Sequence, residues 1–149
     1  MTEKIEIMTK FYAAFVRDEL RDQFTREVIK SYLFVKKRNA ERWEIPIGNF
    51  REDSHLDRLL GVQSDLGLSC RLDMILTNQN YEGIPKETEV YILTHKGGEL
   101  GLTEKYETHR WMTLAEFKMS QDLIHNYQKV RRIICIAESA LFQSGVSGS

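Results

Sequence analysis

The sequence predicts one α/β domain, built either as α+β or as a layered α/β/α sandwich. Helical and extended patterns are mixed along the chain and joined by short connections, the mark of a sheet packed against helices. At 149 residues, 42% of them apolar, the chain is long enough to bury one core without staples. No internal repeat, linker or low-complexity stretch divides it, so residues 1–149 read as a single domain.

Met8, Phe11, Tyr12, Phe15 and Val16 recur at helical spacing between Lys4 and Glu19. Residues 1–26 are therefore expected to form an N-terminal helical extension. Val28 to Lys36 holds Tyr32, Leu33, Phe34 and Val35, an aromatic and β-branched run that predicts a strand. Lys37 to Glu41 is a polar turn. Trp43 to Ile47 continues extended, because Pro46 biases Ile45 away from helical geometry. Ser54 offers an N-cap for a helix carrying Leu56, Leu59, Leu60 and Leu66, and Gly67 suits the position past its end.

Cys70, Leu72, Met74 and Leu76 alternate as in a half-buried strand, and Glu89 to His95 predicts another, stopped by Lys96-Gly97-Gly98. The polar run Thr103 to Arg110 is expected as a loop leading to Trp111. Thr113-Leu114-Ala115-Glu116 is a capping box for a short helix. Leu123, Tyr127, Val130, Ile134, Ala137 and Leu141 then predict a long amphipathic helix, with His125 upon it. Residues 145–149 are expected to be a disordered tail.

A net charge of -1 gives no overall pull toward nucleic acid or membrane. The cysteines, Cys70 and Cys135, show no CxxC spacing and lie in apolar surroundings, so both are expected as reduced core residues. The first residues lead into no apolar signal region, and no stretch is long enough to span a bilayer. A cytoplasmic location is the expectation.

Three stretches together resemble the Nudix hydrolase family. Trp43-Glu44-Ile45-Pro46-Ile47-Gly48 is similar to the family's W-x-x-P-G-G segment. The helix from Ser54 to Leu66 followed by Gly67-Leu68 matches the end of its signature, and Glu107-Thr108-His109-Arg110-Trp111-Met112-Thr113-Leu114-Ala115-Glu116 resembles its E-x-x-R-W-hydrophobic-T-x-x-E segment. The resemblance implies a Nudix-type α/β/α sandwich with a mixed sheet. It also implies Mg²⁺ or Mn²⁺, since the family's acidic residues converge on one helical face and hold divalent ions against a pyrophosphate.

In that register the signature R-E-U-x-E-E becomes Leu60-Gly61-Val62-Gln63-Ser64-Asp65, so Asp65 is the one acid retained. Glu52 falls on the loop glutamate, in a stretch two residues shorter than the pattern. Ile47 stands on a glycine whose carbonyl binds metal, a role independent of its side chain. The implied metal set is therefore Asp65, Glu52 and the Ile47 carbonyl. Mg²⁺ usually sits on one or two carboxylates plus substrate phosphates, so this set holds less charge than the family's.

Glu104 and Glu107 occupy the segment that gives many Nudix enzymes a general base. The GDP-mannose mannosyl hydrolase branch is similar in keeping only the last acid. Asp122-Leu123-Ile124-His125-Asn126 resembles its D-x-x-H-x-N segment, which adds His125 as a candidate base. Where that branch has Gln-His before R-W, this chain has Lys105 and Tyr106.

Lys36, Lys37, Arg38 and Arg42 cluster near a hairpin tip, with Arg131 and Arg132 further along, and suit the phosphates of a nucleotide or of RNA. Most such tips are solvated turns. Tyr81 and Tyr91 are candidates to stack on a base. Lys37, Arg38 and Tyr81 are thus the substrate-binding candidates, with a nucleotide-type small molecule preferred over nucleic acid.

The expected function is hydrolysis of a nucleoside diphosphate linked to another moiety, such as an NDP-sugar, with weakened or altered metal dependence. The alternative is an inactive nucleotide- or RNA-binding regulatory module. A homodimer through the amphipathic N- and C-terminal helices is a further expectation.

Overall fold

The structure is a computed structural model in which residues 10–21, 23–50, 66–76, 88–98, 101 and 106–143 are described. Its frame is a mixed sheet of six strands: β1 (Lys10–Arg21), β2 (Val28–Lys37), β3 (Ile47–Phe50), β4 (Ser69–Leu76), β5 (Glu89–Gly97) and β6 (Tyr106–Thr113). The strands run β4-β5-β1-β2-β6, with β3 paired to the first residues of β1. Among the described strands only β1 and β5 pair in parallel, from Tyr12 opposite Glu89 to Arg17 opposite Thr94. Two helices follow, α1 (Leu114–Met119) and α2 (Tyr127–Gln143), separated by a 3-10 turn at Gln121–Leu123.

The expected N-terminal helix is overturned, because residues 10–21 form the central strand. Tyr12, Ala13, Ala14, Phe15 and Val16 are all buried, alternately facing the two cores. A strand covered on both faces reads as a continuous apolar run, which helical spacing fits equally well. The N-terminal half of the expected dimer face goes with that helix. Residues 106–110, expected as a loop, begin β6, whose charged side chains lie on the exposed outer strand.

β2, β4 and β5 fall where their patterns place them. Gly67 takes φ 70 after the helical residue Leu66, the left-handed geometry that ends a helix. The rest of the helix expected over 54–66 lies outside the described residues, as does the tail. The Thr113–Glu116 capping box is complete: the Thr113 hydroxyl accepts from Glu116 N–H, and the Glu116 carboxylate accepts from Thr113 N–H. Arg110 adds an ion pair at 2.8 Å, and these contacts hold the Glu116 carboxyl below its ordinary range.

One face of the sheet is covered by α2. Tyr127, Val130, Ile133, Ile134, Ala137 and Leu141 pack on Ala13, Phe15, Tyr32, Phe34 and Ile92. The other face meets Leu66 and Leu68 against Tyr12, Leu33, Val35, Tyr91 and Leu93. Leu123, expected on the helical stripe, precedes α2 and is exposed. Cys70 is buried and its thiol is pushed up to about 11 by that burial. Cys135 lies on the outer side of α2 and is exposed, against expectation. Both are free. Among the described residues no helix is long and apolar enough to cross a membrane.

A charged network fastens α2 to the sheet. Arg17 on β1, only 1% exposed, reaches Glu138 with Nε at 2.9 Å and a terminal nitrogen at 3.3 Å. Glu138 also accepts from the Tyr32 hydroxyl at 2.5 Å and from Lys30 Nζ at 3.0 Å. Glu19 takes a further Arg17 bond at 2.9 Å, and Thr94 lies on the other guanidinium nitrogen. Thr94 in turn donates to Asp73, which pairs with Arg71. A charge this deeply buried is tolerated only when paired and hydrogen-bonded.

Candidate functional site

The stretch Trp43 to Gly48 crosses from the β2 hairpin to β3. Glu44 makes reciprocal backbone bonds with Val35 at 2.8 Å, and Pro46 O accepts from Ala14 N–H at 2.8 Å. Proline leaves Pro46 without a donor, yet its carbonyl still ties the segment to the central strand. Ile45 is buried in the core beneath α2. Alternation along an extended segment then turns Glu44 away from Ile45.

The Ile47 carbonyl, the metal candidate, is fixed by Tyr106. The Tyr106 hydroxyl donates to Ile47 O and accepts from Ile47 N–H, each at 3.1 Å. Next to it Gly48 has no alternative, because a Cβ there would lie 2.2 Å from the Tyr12 hydroxyl oxygen. Tyr12 is buried and stacks on Tyr91 with ring centroids 5.8 Å apart. Tyr91 donates to Glu89 at 2.9 Å. Tyr91, weighed as a base-stacking residue, is thus a packing residue.

The described surface opens as a cleft at the hairpin tip, of ≈ 360 Å³, lined by Ala40, Glu41, Arg42, Glu44 and His125. Its walls come from two parts of the chain sewn together by backbone bonds. Trp43 N–H donates to Leu123 O at 2.7 Å, and His125 N–H donates to Trp43 O at 2.8 Å. Asn126, at φ 56, then starts α2 by accepting from Val130 N–H. His125 therefore sits in the turn before the helix, not on it as expected. Lys36 Nζ lies over the Trp43 ring, 5.3 Å from its centroid.

Glu44 is the group in this cleft that sequence reasoning missed. Its side chain is 14% exposed, and Lys37 Nζ lies 3.4 Å from Oε1. That nitrogen makes no hydrogen bond to it, and Oε1 is buried without a hydrogen-bond partner. The signal lay within Trp43-Glu44-Ile45-Pro46, where Ile45 and Glu44 had to take opposite sides.

The other candidates are distributed as follows. Lys37 and Arg38 are exposed at the hairpin tip beside the cleft. Glu107 is exposed on β6 rather than in a loop. Arg131 and Arg132 are exposed on α2. Asp65, Glu52, Glu104 and Tyr81 lie outside the described residues. Among the described residues no three His, Cys, Asp or Glu side chains assemble a metal centre. The described part of the implied metal set is thus the single Ile47 carbonyl, held in place by Tyr106.

No protein-family model matches the sequence, and no curated protein matches it. The fold does match solved structures. A Nudix hydrolase from Nitrosomonas europaea superposes with TM-score 0.62 at 13% identity, over 88% of this chain and 89% of that one. The Nudix domain of Shewanella oneidensis NrtR, in complex with ADP ribose, gives 0.57 at 12% identity, over 88% and 87%. A UDP-X diphosphatase gives 0.52 at 10% identity over 72% of this chain, which spans only 52% of its length. The chain has the Nudix fold: a mixed sheet with helices, as expected.

Proposed function

We propose that this protein hydrolyses a nucleoside diphosphate linked to another moiety, an NDP-sugar or similar, with a divalent ion held more weakly than in a full Nudix signature. The observation that carries this reading is the placing of His125 in a cleft sewn to the Trp43–Gly48 segment, within a Nudix fold. The nucleotide-type ligands named for similar structures, ADP ribose and UDP-X, agree with it.

Asp65, Glu52 and the Ile47 carbonyl are the groups proposed to hold Mg²⁺ or Mn²⁺, which would neutralise phosphate charge. Lys37 and Arg38 would meet phosphate oxygens from the hairpin tip, and Tyr81 would stack on the base. Of the two described candidates, Glu107 and His125, the histidine lines the cleft, and Glu104 lies outside the described residues. An imidazole there can take a proton from an attacking water within hydrogen-bond reach. Incubating the pure protein with NDP-sugars, ADP-ribose and NTPs, with Mg²⁺ or Mn²⁺, tests the proposal. No turnover of any of them would end it.

A second reading is favoured by Leu60, Gly61 and Ser64, which replace three charged signature residues at once. It makes the protein a nucleotide- or RNA-binding module without catalysis. Calorimetry separates the two, since a module binds without metal dependence and without product. Asp65→Ala abolishes turnover in the enzyme and leaves binding by a module unchanged.

A further inference from the structure

Glu44 poses a specific chemical question. Its Oε1 is buried beside the cleft and accepts no hydrogen bond; Lys37 Nζ pairs with it electrostatically at 3.4 Å but outside hydrogen-bonding geometry. Buried polar atoms are nearly always satisfied, and an exception points to a missing partner such as a water, ion or ligand group. The cleft has mixed walls: Glu41 and Glu44 are acceptors when ionised, whereas Arg42 donates and His125 offers ring nitrogens of either kind. The cleft holds ≈ 360 Å³ but lies largely open to solvent rather than enclosed. A phosphate is a poor occupant beside two carboxylates. A neutral group with adjacent donors and acceptors suits these walls better.

We propose that Glu44 is a recognition residue whose carboxylate receives neighbouring hydrogen-bond donors from the ligand in this cleft. The donor pair is either a vicinal diol of a sugar or the amino edge of a base. The diphosphate would then lie outside the carboxylate wall, toward Lys37 and Arg38. This rests on the reading of the cleft as the nucleotide site, but it concerns binding and does not require turnover.

The test is calorimetric binding of UDP-glucose, UDP, dUDP and GDP to the wild-type chain and to Glu44→Gln. Glutamine keeps the shape and turns one acceptor into a donor, so the matched donor is opposed by another. Affinity is expected to fall about ten- to hundredfold, the usual range for losing a hydrogen bond to a charged group. A fall for UDP-glucose but not UDP assigns the donors to the transferred sugar. A fall for UDP and GDP but not dUDP assigns them to the ribose diol, and a fall for GDP alone to the base. Unchanged affinity of every ligand that binds would overturn this inference and leave the proposed function standing. Binding of none of them would overturn both. A thermal melt of Glu44→Gln, with Glu44→Ala beside it, checks that any loss comes from a folded protein.

Discussion

Glu138→Ala is expected to destabilise the protein more than any other single change in the charged network beneath α2. The wild-type carboxylate answers Arg17 twice and also accepts from Tyr32 and Lys30. Without it, Arg17 stays buried with Glu19 and Thr94 still bonded to it. Breaking a buried ion pair costs about 3–5 kcal/mol, here an upper range because Glu19 still pairs with Arg17. For a chain of this size each kcal/mol moves Tm by about 2–4 °C, so the melt should fall by about 6–20 °C. Arg17→Met should cost less, about 1–3 kcal/mol, because Glu138 keeps Tyr32 and Lys30. The double variant Arg17→Met with Glu138→Met should recover much of the loss, since an apolar pair replaces both charges. Urea titrations of the four proteins give the coupling directly. If Glu138→Ala costs under about 1 kcal/mol, or if the double variant is no better than Glu138→Ala, the argument fails.

The same network sets an acid limit. Burial would raise the Glu138 carboxyl, but the bonds from Arg17 and Tyr32 and the positive charge outweigh it and leave it below its ordinary value. Burial likewise works against charge on Arg17, yet Glu138 raises its affinity for the proton, while burial and then Glu138 raise the Tyr32 phenol. A carboxyl depressed in the folded state contributes stability that is present above its unfolded value of about 4.3 and lost as pH falls through the folded value. Urea midpoints should therefore drop below about pH 4 in the wild type and less steeply in Glu138→Gln.

Other changes have sharper local readouts. A thiol reagent at neutral pH should label Cys135 quickly, while Cys70, buried with its thiol near 11, should react only on unfolding; two fast equivalents would contradict this. Thr113→Ala removes the cap of α1 and should cost about 0.5–2 kcal/mol in a urea titration. Gly48→Ala would press a methyl into the Tyr12 ring and should cost about 1–3 kcal/mol. Adding Tyr12→Ala should reduce that penalty; equal penalties in both backgrounds would argue against the clash.

Much of the frame was legible because local pattern and tertiary role agree there. Tyr32 to Val35 reads as a strand and is one, and Thr113 with Glu116 reads as a cap and forms it. Residues 10–21 misled because Phe15 and Val16 are buried on opposite faces, so no alternation marks the strand. Arg17 carries no local signal of its burial, because its partner Glu138 lies far along the chain, a pairing no local rule supplies. Ile47 and His125 were named as candidates through the family resemblance, whereas Glu44 drew notice only once the segment's two faces were known. The acids on which the metal reading depends, Asp65 and Glu52, lie outside the described residues.

The position of β1 also bears on how the chain comes together. This strand precedes the other five in the chain, yet its parallel neighbour cannot be in place until Glu89 to Thr94 has been made. Parallel pairing needs a long crossover, and contacts so distant in sequence must meet a large loop-closure cost before they reward it. Until then Tyr12 to Val16 would be an apolar strand with an open side, the kind of segment that captures another chain. Assembly of the sheet thus waits on its middle, and the interval before β5 arrives is when the nascent protein most needs shielding.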